Sequence, residues 1–152
     1  MRILLAVLHL LGLGIGLGAI YTRARAANRL KDGPDSLSAA FAADMWWGIA
    51  AFVWIATGLT RVFGSYEKTA SYYWTNHIFM AKLGLLVLVI VLEIWPMVTL
   101  IKWRRASRVG TLAAADLVSK GRRIARISDV QTLLVVAMVT AAVLMARGYG
   151  AR

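Results

Sequence analysis

Among the side chains that could do chemistry in this 152-residue chain, His9, Arg61, Lys82 and Glu93 lie inside long apolar runs, and Asn76 and His77 lie just outside one. An ionisable group in hydrocarbon costs at least a few kcal/mol on insertion scales, so each is a candidate for ligand, ion or proton chemistry. With a helical rise of about 1.5 Å per residue, His9 lies roughly 5 Å to one side of the centre of its run, called here the outer side. Arg61 and Lys82 lie roughly 10 to 12 Å to that same side of theirs, and Glu93 roughly 5 Å to the other. An imidazole and two cations sharing the outer half make a pocket suited to an anionic or carboxylate-bearing ligand. The propionates of haem b are one such group, with His9 as the iron ligand.

Spacing adds detail. Gly12 and Gly16 form one small-residue pair and Gly14 and Gly18 another, on opposite sides of the first helix, so that helix can approach neighbours on both faces. His9 shares the face of Gly12 and Gly16, where the lack of bulk either admits a flat cofactor or serves helix packing. Trp47, Trp54 and Arg61 recur every seven residues beside a stripe of Gly48, Ala51, Ile55 and Gly58; the small stripe is expected to pack against a helix. Lys82, Leu86, Val89 and Glu93 fall on one line directed into the bundle, and Pro96 is expected to kink that helix. Glu93 is either a proton-carrying or ligand-binding acid, or one paired with Arg or Thr of a neighbour. His77 belongs near the outer surface, more than about 10 Å from the level of His9, which argues against one bis-histidine haem. Met80 or Met138 is an alternative second ligand. The Met residues are too scattered for a copper path, and neither a Gly-rich phosphate loop nor a Ser/His/Asp arrangement is present to assign catalysis. With no Cys, disulfides and thiolate chemistry are excluded.

The elements that must position these groups follow from four apolar runs, each near the 20 residues that cross about 30 Å of hydrocarbon. They cover about residues 3–22, 45–63, 79–101 and 130–146, and predict an all-α, single-domain bundle of four transmembrane helices. A chain that is 60% hydrophobic, with 16% charged residues and a net charge of +11, is too apolar for a nucleic-acid-binding domain. Its cations are instead gathered. Arg23, Arg25, Arg29 and Lys31 lie in loop 23–44, and Lys102, Arg104, Arg105, Arg108, Lys120, Arg122, Arg123 and Arg126 in loop 102–129. Loops rich in Lys and Arg stay in the cytoplasm, so both termini are expected outside, with the two basic loops facing anionic lipid headgroups. The first run is followed at once by cations that resist translocation, which favours a retained span over a cleaved signal peptide.

Short structure is expected within the loops. Gly33-Pro34-Asp35-Ser36 forms a turn with a helix cap, so that the second helix begins near Leu37 and includes Phe41 and Asp44. Thr111 is expected to cap a short helix ending at Lys120 and Gly121, and Ser128-Asp129 to cap the fourth span. Tyr66, Tyr72, Tyr73 and Trp74 suit an aromatic belt at the outer surface.

Several segments resemble a family of bacterial membrane proteins of unknown function: Leu8-His9-Leu10-Leu11, Asp44-Met45-Trp46-Trp47-Gly48-Ile49-Ala50, Gly58-Leu59-Thr60-Arg61, Glu67-Lys68, Lys82-Leu83-Gly84 and Leu92-Glu93-Ile94-Trp95-Pro96-Met97. The resemblance implies a four-helix, multi-pass protein of the bacterial inner membrane. More distantly, His9 and Ala81-Lys82-Leu83 are similar to positions in oxygen-independent protoporphyrinogen oxidases and copper-resistance D-like domains, which implies haem binding. Those oxidases carry a further histidine where this chain has Tyr21-Thr22-Arg23. Three function classes follow: a membrane component with a polar outer pocket, an accessory subunit packing on a larger membrane complex or on a second copy, and a porphyrin-oxidising enzyme or proton-coupled transporter using Glu93.

Overall fold

The computed structural model describes residues 1–64 and 70–150, with the backbone alone for residues 70–72. Ser65, Tyr66, Glu67, Lys68 and the Tyr72 side chain lie outside the described residues, and with them half of the expected aromatic belt. Of its other members, Tyr73 is buried with its ring 5.2 Å from that of Phe79, and Trp74 is exposed.

Among the described residues five α-helices form: α1 (Arg2–Arg29), α2 (Leu37–Phe63), the short α3 (Ala70–Thr75), α4 (His77–Arg108) and α5 (Ala114–Ala146). No strand occurs among the described residues. Four of the helices are long and apolar enough to cross a membrane, which makes this a multi-pass membrane protein with an all-α, four-helix architecture. Each of the four has 27 to 33 residues, about 40 to 50 Å of helix, so each reaches well past about 30 Å of hydrocarbon.

α1, rich in Leu, Ala and Gly, continues without a break to Arg29; the chain then turns through Leu30-Lys31-Asp32-Gly33, and Pro34–Ser36 makes a single 3-10 turn. α2 then starts at Leu37, as expected. Ser36 occupies its cap position but makes no side-chain cap bond, and its hydroxyl is buried without a partner among the described residues. α4 is capped by Asn76, whose side-chain oxygen accepts from the backbone N–H groups of Ile78 (3.0 Å) and Phe79 (3.1 Å). It runs on through Pro96, which is fully buried. The turn into α5 uses Gly110 at φ 70°, a left-handed conformation that glycine adopts without steric cost.

The structure corrects the expectation of a short helix from Thr111 to Lys120 and a separate fourth span. α5 is one helix that passes through both Gly121 and Ser128. Gly121 does not stop a helix; it lets α1 approach, because a Cβ there would lie 2.8 Å from the Ala27 carbonyl oxygen. Ser128 is not a cap either, since its hydroxyl is spent on a side chain of α1.

The long helices pack in the spatial order α2, α1, α5, α4. α1 and α5 form the centre, while α2 and α4 meet only sparingly. Toward the basic end, Ala27, Leu30, Ala40, Leu100, Trp103 and Ile124 fill one core. Toward the other end Ile20, Trp47, Trp54, Val89, Val135 and Met138 fill a second. The outward residues, among them Leu4, Leu10, Phe52, Val91 and Leu133, are exposed and apolar, as lipid contact requires.

Helix contacts also revise two stripe assignments. On α2 the aromatic stripe is the packing stripe: a Cβ on Gly12 would lie 3.2 Å from the Trp54 backbone nitrogen, and one on Gly16 would lie 3.2 Å from the Trp47 ring. Of the small stripe, Gly58 does meet α1, where a Cβ would lie 3.2 Å from the His9 ring, while Ala51 and Ile55 face a cleft. α1 is central as expected, but Gly14 and Gly18 do not provide its second contact, since no described atom lies within 4 Å of a Cβ at either.

Candidate functional site

At the junction of the two cores a single guanidinium joins all four long helices. Arg23 of α1 has a side-chain exposure of 0%. Its Nε donates to the Ser128 hydroxyl of α5 (3.1 Å), and its Nη1 to Asp44 of α2 (2.8 Å) and to Glu93 Oε1 of α4. Its Nη2 donates to Glu93 Oε2 (2.8 Å) and to the Gln131 amide oxygen of α5 (3.0 Å). All five donors of the fork are therefore used, with Glu93 held in two-point contact. Gln131 in turn donates to Glu93 Oε2 (2.8 Å) and to the Val89 carbonyl (3.1 Å), fixing both partners.

Within this hydrogen-bonded centre two carboxylates share one guanidinium, a formal charge of −1 when both acids are ionised, and the exposed Arg104 of α4 acts on Asp44 only from the basic end. Both retain some exposure, 17% for the Asp44 side chain and 19% for Glu93. Glu93 borders a cleft of about 170 Å³ between α2 and α4, lined chiefly by Trp47, Trp54, Leu86, Ile90 and Met97. Of the two expectations for Glu93, pairing with an Arg of a neighbouring helix is therefore realised. Arg23 and Asp44 had stood out only as residues flanking the spans. The signal that could have found them is an acid within an apolar run, which requires a donor from another helix at its own depth.

His9 sits on the opposite side of the Gly12 and Gly16 contact and is turned into α2. The Trp54 indole N–H donates to His9 Nε2 (2.9 Å), so Nε2 carries no proton and Nδ1 is the protonated nitrogen. Nδ1 lies 3.1 Å from the Trp54 carbonyl and 3.0 Å from the Thr57 hydroxyl, and Gly58 leaves room for the ring. With both nitrogens engaged and the glycine face filled by Trp47 and Trp54, this arrangement does not fit His9 as a haem-iron ligand. Nor does it leave the space beside Gly12 and Gly16 for a flat cofactor.

Arg61, in the last turn of α2, and Lys82 of α4 are both half-buried and close enough to repel one another. The structure thus brings these two cations together, and places His9 about one turn away along α2, at the level of Thr57. His77 opens α4 at its exposed end; its backbone N–H donates to the Gly150 carbonyl. No group of three or more metal-capable side chains occurs among the described residues.

Residues 1–150 match a family described as "Predicted membrane protein (DUF2214)", and the chain belongs to that family. No curated protein and no solved structure matches the chain.

Proposed function

We propose that this member of the DUF2214 family binds and releases a proton inside the membrane, at the Arg23–Asp44–Glu93 centre, in step with what occupies the cleft between α2 and α4. The observation that carries this reading is the two-to-one ratio of carboxylates to guanidinium in a buried site. Two ionised acids on one cation leave an uncompensated charge in a poorly solvated place, and one bound proton removes it. Glu93 is the exchanging acid, because its carboxylate borders the cleft while Arg23 and Gln131 hold it in position. The class is a proton-coupled carrier.

In this reading the basic end faces the cytoplasm of a bacterial inner membrane, where Arg25, Arg104 and Arg123 meet anionic headgroups. Each of these guanidiniums lies over an aromatic ring, those of Tyr21, Phe41 and Trp95, which suits side chains reaching toward a headgroup layer.

Infrared titration of the protein in lipid tests the proposal. A protonated-carboxyl band is expected to grow as the pH falls and to be absent from Glu93→Gln, in which Asp44 alone pairs with Arg23. A band of undiminished size in Glu93→Gln, or none in the wild type, would overturn it.

A further inference from the structure

We infer that the cleft between α2 and α4 takes a lipophilic cation, an apolar body bearing one ammonium group, in exchange for the proton on Glu93. This rests on the proton-exchange reading above and names the class of its second ligand.

Three observations converge on that occupant. First, the cleft opens between two helices that pack only sparingly against one another, and its lining residues Ile90, Ile94 and Met97 are exposed on the lipid-facing side, so a ligand dissolved in the bilayer reaches it from the side. Second, its lining is apolar apart from one ionisable group, Glu93. That carboxylate accepts three hydrogen bonds from Arg23 and Gln131, which leaves one of its four lone-pair positions unused. Third, Trp47 and Trp54 border the same space, and indole faces attract a cation by about 0.5 to 2 kcal/mol, more when water is excluded.

Charge decides between ligand types. An anion would add to the −1 of the ionised centre, and a neutral apolar molecule would leave that charge to the bound proton and exchange for nothing. A monovalent cation balances it and makes the bound proton unnecessary, so one proton leaves as one cation enters. Other charged groups on the two helices bear on the route. Lys82 is eleven residues before Glu93 on α4, roughly 16 Å away along the axis, and Arg61 lies at that same outer level. Lys82 opposes entry of a cation from the outer end and Arg104, beside Asp44, opposes it from the basic end, which favours lateral entry.

Benzyltrimethylammonium, one aromatic ring on a permanent cation, is the probe. It is titrated calorimetrically into the detergent-solubilised protein in two buffers of different ionisation enthalpy, which counts the protons released. Saturable binding with release of one proton is expected, with affinity rising about tenfold per pH unit while the proton is displaced. Glu93→Gln should lose about tenfold or more in affinity. Ile90→Trp, which fills the cleft and leaves the charged centre intact, should abolish binding while keeping the infrared titration. Saturable binding that is unchanged in both variants, or uptake that never saturates, would overturn the inference. Absence of binding in a wild type whose carboxyl band titrates normally would overturn it and leave the proton reading standing. Absence of both signals would bring down both.

Discussion

Replacing Arg23 by Met isolates the energetics of the charged centre, because Met keeps the length of the stem and removes all five donors. Four partners are then stranded: the carboxylates of Asp44 and Glu93, the Ser128 hydroxyl and the Gln131 amide. The two neutral hydrogen bonds are minor, since interhelical hydrogen bonds in membrane proteins average about 0.6 kcal/mol and reach about 1.7. The charged contacts dominate, because removing one partner of a buried ion pair costs about 3 to 5 kcal/mol. Their 17% and 19% exposure lets water reach the acids, so the lower part of that range is expected, about 3 kcal/mol at neutral pH.

The deficit should narrow at low pH. Protonation of the two acids removes the charges that have lost their cation, so the variant recovers stability as the pH falls. SDS titration of purified variants, followed by tryptophan fluorescence, measures the effect, with Ser128→Ala as the neutral reference at about 1 kcal/mol or less. The combination Arg23→Met with Glu93→Gln and Asp44→Asn should recover most of the loss, because no buried charge remains. If Arg23→Met costs no more than Ser128→Ala, or the triple variant is no better than the single one, the guanidinium is not what holds the helices together.

Other perturbations separate packing from chemistry. Gly121→Ala should destabilise by about 1 to 3 kcal/mol in the same titration, because its methyl would sit 2.8 Å from the Ala27 carbonyl oxygen, whereas Gly14→Ala, with open space beside it, should change little. His9→Ala removes the acceptor of the Trp54 indole N–H and should shift tryptophan emission, and the wild type supplied with haem should show no Soret band; a band lost in His9→Ala would refute the reading of His9 as a helix contact. Ser107→Cys should react with a membrane-impermeant thiol reagent only after permeabilisation, and labelling from outside intact cells would reverse the assigned orientation.

The architecture was legible because hydropathy reports on lipid directly: each of the four apolar runs became one long helix. The helix ends were less so. Gly121 carries the same letter as a helix stop, and only the neighbouring Ala27 carbonyl reveals that it serves close approach. Within the candidate site, depth along the sequence singled out Glu93 but could not supply its partners, because Arg23, Asp44 and Gln131 converge through packing across residue separations of 21 to 108. His9 was read for the chemistry of its nitrogens, but a histidine's availability depends on its neighbours, here Trp54 and Thr57. The Gly12 and Gly16 pair left the choice between cofactor space and helix contact open, and the bulk of two tryptophans decided it.

The five-donor fork of Arg23 also imposes an order on biogenesis. Its partners arrive in chain sequence: the carboxylate of Asp44, then that of Glu93, then the hydroxyl of Ser128 and the amide of Gln131. While α1 and α2 alone have been inserted, the guanidinium has one of its acids and lacks every contact to α4 and α5. The centre closes only when α5 is in place, so a protein truncated before α5 would leave two of the five guanidinium donors without the Ser128 hydroxyl and the Gln131 amide.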